Sequence, residues 1–122
     1  MRNRALGDAG EDLAVSFLKK KGYKIICRNY SAGRKEIDII ASHRGRLCFI
    51  EVKSRKQNRF GLGQESVSRL KQSRIVTAAA AFLEERKLAD CDCRFDVVCI
   101  DYSGPLPKIE LIEGAFDATD KI

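Results

Sequence analysis

Histidine occurs once in these 122 residues, at His43, and proline twice, at Pro105 and Pro107. With one histidine, far in sequence from the Cys91–Cys93 doublet, and no second cysteine pair, a structural zinc site is not expected. No apolar run approaches the roughly 20 residues that a membrane-spanning helix needs. The first ten residues, Met1 to Gly10, carry charges and glycines rather than an apolar segment, so a cytoplasmic location is expected. Five cysteines are an odd number for a disulfide framework. Cys27, Cys48 and Cys99 lie within apolar strand-like runs and read as small buried hydrophobes. Repeats and low-complexity linkers are also missing, and the length suits one hydrophobic core, so residues 1–122 are expected to form a single domain.

What is present is charge of both signs with a basic excess. Twenty-three Lys and Arg against seventeen Asp and Glu leave a net charge of +6, a field that favours a polyanionic partner. A 44% hydrophobic fraction places the chain among folded globular proteins.

The pattern along the chain predicts helix, three strands, helix, two strands. Asp8 and Glu11 have capping-box spacing ahead of Leu13, Ala14, Phe17 and Leu18, which recur at helical intervals up to Gly22. Tyr23 to Asn29, Glu36 to Ser42 and Arg46 to Lys53 read as strands, the last two joined as a hairpin. A second helix is expected from about Glu65 to Arg86, with a polar, basic first half and a buried, alanine-rich second half. Phe95 to Ile100 and Lys108 to Ile112 close the series, separated by Gly104, Pro105 and Pro107. The expected fold is therefore α/β, a mixed central sheet flanked by helices.

Side chains alternate faces along a strand, so Glu36 shares a face with Asp38, and Glu51 with Lys53. If the hairpin loop is Arg44-Gly45, or the four residues His43 to Arg46, paired residues have numbers that add to 89; Asp38 then lies opposite Glu51, and Glu36 opposite Lys53. A three-residue loop would change that register. Two carboxylates set opposite one another require a cation, and such a pair suits Mg²⁺, which takes one or two carboxylates together with waters and substrate phosphate. The other reading of the same residues is a surface hairpin with a Glu36–Lys53 cross-strand ion pair contributing roughly 0.2–1 kcal/mol.

Glu36-Ile-Asp-Ile-Ile40 followed by Phe49-Ile-Glu-Val-Lys-Ser-Arg55 resembles the core of the PD-(D/E)XK nucleases. More closely, Gly7-Asp-Ala-Gly-Glu-Asp-Leu-Ala14, Gly22-Tyr23, Arg28-Asn29, Arg94-Phe-Asp-Val-Val98 and Ala115-Phe116 resemble the YraN-like family of small bacterial proteins, similar in turn to archaeal Holliday-junction resolvases. The proline of the PD signature is replaced by Ile37. The resemblance implies a resolvase-like fold and a Mg²⁺- or Mn²⁺-dependent site, with Asp38 and Glu51 as metal ligands and Lys53 as the catalytic lysine. It also implies Glu11 as a further acidic residue of the site, whereas spacing alone makes Glu11 part of a helix cap.

Arg34, Lys35, Arg55, Arg69, Lys71 and Arg74, with Lys53, Lys56 and Arg59, cluster in sequence around this hairpin and form the expected nucleic-acid footprint. Gln64 and Lys71 are close enough in sequence to reach the metal side, without an assigned catalytic role. The leading expectation is a metal-dependent endonuclease acting on DNA, including branched DNA, with a homodimer as the arrangement that makes paired cuts. A non-catalytic nucleic-acid-binding module and a protein-interaction adaptor are the alternatives.

Overall fold

The structure, a computed structural model, describes residues 4–55 and 67–118. The elements follow the expected order: α1 (Arg4–Lys20), β1 (Lys24–Ala32), β2 (Lys35–His43), β3 (Arg46–Arg55), α2 (Arg69–Glu85), β4 (Cys93–Asp101) and β5 (Lys108–Phe116). They form a mixed five-stranded sheet of order β1-β2-β3-β4-β5 in which β3 and β4 are parallel, and the other neighbours antiparallel. The parallel step is the crossover made through α2, as such a connection requires.

Helix α1 starts earlier than expected. Asp8 lies inside it rather than at its cap, because the spacing of a capping box is also that of two residues on one helical face. Its end is set by Gly22, whose φ of 94° lets Tyr23 N–H reach the Leu18 carbonyl at 3.0 Å, and Gly22 N–H that of Lys19 at 3.1 Å. Tyr23 and Leu18 then pack in the same cluster. Strand β1 begins just after that turn and continues past Asn29, which takes a left-handed φ of 54° without ending the strand. Helix α2 starts at a Ser68 cap, whose hydroxyl accepts from Lys71 N–H at 3.1 Å; Glu65 lies outside the described residues. Strand β5 runs on to Phe116 because Gly114, at φ 60°, absorbs a register shift opposite Asp96.

The β2–β3 hairpin turns on Arg44 and Gly45, both with positive φ (52° and 77°), the geometry of a two-residue type I′ turn. Its pairs, His43↔Arg46 through Ile39↔Ile50, carry the expected register. The sheet is covered on both faces. Ala14 and Leu18 of α1 pack with Ile39, Ala41, Cys48, Ile50, Val98 and Ile100, while Ile75, Ala79 and Phe82 of α2 pack with Ile40, Phe49, Phe95 and Val97. This explains why β2, β3 and β4 read as continuous apolar runs. The buried side chains of α2 all lie from Ile75 onward, beyond the polar, basic stretch that ends at Arg74, as its sequence predicts. Of the three cysteines expected inside, Cys48 and Cys99 are buried and Cys27, nearer the sheet edge, is only partly so.

Residues Tyr23, Arg94 and Asp96, which carried part of the family resemblance, belong to a buried polar network near the turn end of this hairpin. The Asp96 carboxylate, 1% exposed, accepts two bonds from Arg94 at 2.9 Å, one from the Tyr23 hydroxyl at 2.8 Å and one from Gly114 N–H at 3.0 Å. Arg94 Nη2 also approaches His43 Nδ1 at 2.9 Å, and the His43 and Tyr23 rings stack at 4.0 Å. Burial, followed by the neighbouring Asp96, pushes the Tyr23 hydroxyl well above its ordinary pKa. Removing Asp96 would leave the largely buried Arg94 with only the half-exposed Glu113, at 3.5 Å, as a counter-charge. Asp96→Ala is expected to destabilise the protein by about 3–5 kcal/mol in urea unfolding, and a loss below about 1 kcal/mol would mean that the network is not structural.

Candidate functional site

Beyond Ile39↔Ile50 the β2–β3 ladder stops. The expected pairing of Glu36 with Lys53 is not part of that ladder; the backbone partners are Ser31 on β1 for Glu36 and Cys99 on β4 for Lys53. The two strands part company here, and a side chain takes the place of the missing rung: Asp38 Oδ2 accepts from Val52 N–H at 2.8 Å. The opening is a cavity of about 360 Å³, lined by Arg34, Lys35, Glu36, Asp38, Glu51, Val52, Lys71 and Arg74. Glu51 is 4% exposed, Asp38 is half-buried, and Arg34 and Arg74 are exposed, which makes an acidic floor beneath a basic rim.

Burial pushes Asp38 from an ordinary 3.8 up to about 7, and the neighbouring Glu51 pushes in the same direction by charge and by a shared hydrogen bond. The Val52 N–H bond and the Lys71 charge pull the other way without overcoming those effects. Burial and the like charge of a neighbouring carboxylate thus favour the protonated form of Asp38. The donor set fits a hard divalent cation that completes its shell with waters and a phosphate oxygen. Among the described residues, no group of three or more Asp, Glu, His or Cys side chains is gathered to enclose a metal.

The structure brings Asp38 and Glu51 together, as expected, and adds Arg34, Lys35, Lys71 and Arg74 from the anticipated footprint. Lys53 is half-buried on β3, outside the residues lining the cavity. The cation at the acids is Lys71, with Nζ 3.2 Å from Glu51 Oε2. A sequence signal for it exists: Lys71 lies one turn before Ile75 on the stripe that continues through Ala78 and Phe82, so it points to where the buried face meets the sheet. Glu11 is 2% exposed on α1, with a carboxylate oxygen 3.5 Å from Arg28, and does not line the cavity. Arg28 is paired with Ile39, the neighbour of Asp38, so Glu11 approaches the same stretch of sheet from the helical side. Arg55 ends β3 opposite Asp101, and Arg69 is exposed in the first turn of α2; neither lines the cavity. Lys56, Arg59 and Gln64 lie outside the described residues.

The raised Asp38 value makes stability pH-dependent in a definite direction. The folded protein retains a proton that the unfolded chain releases, so stability contributed by protonated Asp38 is present below about pH 4 and is lost as pH rises toward about 7. In chelator-treated protein, the unfolding free energy should fall across this window by up to about 1.4 kcal/mol per pH unit from this group, and the thermal midpoint with it. Asp38→Asn should flatten the fall; an unchanged profile in that variant would contradict the assignment.

Comparison with known sequences adds the family. Residues 10–100 match the profile described as "Uncharacterised protein family UPF0102". A UPF0102 protein of Geobacter metallireducens is 40% identical over 117 residues, covering 96% of both chains. One from Clostridium perfringens is 47% identical over 109 residues, covering 89% of each, and one from Geotalea daltonii is 43% identical over 118 residues, covering 94% of this chain and 91% of its own. With the profile spanning most of the chain and near full-length relatives at these identities, this protein belongs to the UPF0102 family.

Proposed function

We propose that the protein is a metal-dependent endonuclease of the PD-(D/E)XK type that hydrolyses DNA phosphodiester bonds, with branched DNA among its substrates. The observation that supports this most is the Asp38–Glu51 pair on the floor of a cavity whose rim is basic. Asp38 and Glu51 would hold Mg²⁺ or Mn²⁺, which when bound polarises a phosphodiester and acidifies a coordinated water. Arg34, Lys35 and Arg74 provide phosphate contacts that fix the position of a strand over the acids without reading its sequence. Lys71 supplies positive charge beside Glu51, the part assigned to Lys53 from the sequence motif. Val52, through its N–H, keeps Asp38 from rotating out of the cavity.

A second reading, a nucleic-acid-binding module without chemistry, draws support from Lys53 standing outside the cavity and from the ion pair that engages Glu51. The two readings separate in one experiment. Labelled duplex, single-stranded, flapped and four-way-junction DNA are incubated with Mg²⁺ or Mn²⁺ and either wild-type protein or Asp38→Ala or Glu51→Gln. Cleavage that depends on the metal and drops at least about 100-fold in both folded variants is the expected result. Binding without any cutting, in every metal, would instead favour the module. DNA binding should weaken with salt in either case. Replacing Arg34 and Arg74 together with alanine should reduce the slope of log affinity against log salt by about 0.9 for each phosphate that is no longer neutralised, whereas an unchanged slope would remove the rim from the binding surface.

A further inference from the structure

We propose that Lys71 is a built-in competitor for the cation site: its ammonium occupies the Asp38–Glu51 pair until a phosphate group draws it away, so that divalent-cation binding and polyanion binding reinforce each other. The idea rests on the metal-dependent reading above and adds how that site is loaded.

The two members of the ion pair differ in freedom. The Glu51 side chain is 5% exposed, whereas that of Lys71 is 42% exposed and ends a flexible four-carbon stem. Asp38 is anchored through Val52 N–H and cannot turn aside. The backbone of Lys71 is anchored too, by the Ser68 hydroxyl on its N–H and by Ile75, Ala78 and Phe82 further along the helix in the core. A swing of the Lys71 side chain thus needs no movement of α2. At 3.2 Å from Glu51 Oε2, the ammonium lies well within the Debye length of about 8–10 Å, so salt would not shield it from a dication placed on the same carboxylates. One of the two cations must yield, and Lys71 is the one able to do so.

Its alternative position is supplied by the cavity. Arg34, Lys35 and Arg74 line it together with Lys71. A phosphate held there gives Lys71 a second anionic partner, and the acids are then left to the dication. Linkage makes this reciprocal: if the polyanion strengthens cation binding by some factor, the cation strengthens polyanion binding by the same factor.

The test is Mn²⁺ binding to the full chain without nucleic acid, read from the electron paramagnetic resonance signal of free Mn²⁺, with thermal unfolding to confirm that each variant is folded. Lys71→Met and Lys71→Gln are expected to bind Mn²⁺ about tenfold or more tightly than wild type, and Lys71→Arg, which keeps the charge, to stay close to wild type. In a second arm, Ca²⁺ should tighten binding of a fluorescent duplex to the wild-type protein relative to chelator, and this gain should shrink in Lys71→Met. If wild type binds Mn²⁺ and the two neutral variants bind it no more tightly, Lys71 is not a competitor and the inference falls while the metal site stands. If neither wild type nor the neutral variants bind Mn²⁺, and Glu51→Gln gives the same result, the metal-dependent reading itself fails and this inference fails with it.

Discussion

Where the two acids stand depends on a backbone constraint some distance from them. The type I′ turn at Arg44 and Gly45 fixes the pairing of β2 with β3, and Asp38 and Glu51 are then brought to the same level of the sheet. Strand periodicity leaves no intermediate solution, because a slip of one residue would turn Ile39 and Ile50 out of the α1 core and drive acids into it. Both strands are buried on both faces, so such a slip would be resisted by the packing of two helices at once. The site's location is thus decided by apolar burial and turn geometry, and only its chemistry by the acids.

The same hairpin has a polar centre near each end, and their electrostatics differ. Near the turn, Asp96 meets Arg94, Tyr23 and a backbone N–H, and every oxygen is satisfied from within the fold. At the other end, Asp38 and Glu51 share a hydrogen bond in an open cavity with Lys71 beside Glu51, and Asp38 retains a proton well above the usual carboxylate range. A buried carboxylate whose partners are complete supports the structure; one whose partners are incomplete is available to something else. That contrast, within one hairpin, distinguishes an ion pair that holds strands together from one that leaves room for a ligand.

Much of this is legible in local sequence. The alternation of Glu36 to Ile40 and of Phe49 to Lys53, with Arg44-Gly45 between them, is enough to put Asp38 beside Glu51. What escapes a local reading is set by packing between distant segments. Lys53 has the right strand parity, but the β2–β3 ladder ends at Ile39↔Ile50, three residues before it, while β3 stays paired with β4 throughout. Lys71 reaches the acids because Phe82 docks against Phe49 and Tyr30 and carries the helix with it, a packing event that no local window contains. Its reach toward the metal side is expected from the sequence along with a phosphate contact, but its pairing with Glu51 in particular is not. Asp8 and Tyr23 depart from expectation for a simpler reason: the i, i+3 spacing of a cap recurs inside helices, and an aromatic residue after Gly22 fits a Schellman turn as well as a strand.

The bond from Val52 N–H to Asp38 Oδ2 makes this side chain part of the sheet's scaffolding. With one oxygen committed to the scaffold, Asp38 meets any cation in a single, preset orientation. Glu51 is confined as well, its side chain 5% exposed and sharing a hydrogen bond with Asp38, and the member of the group with room to move is Lys71. The two acids are therefore fixed posts and the lysine the adjustable arm, so ions of different radius would be accommodated by the lysine and by solvent rather than by the carboxylates.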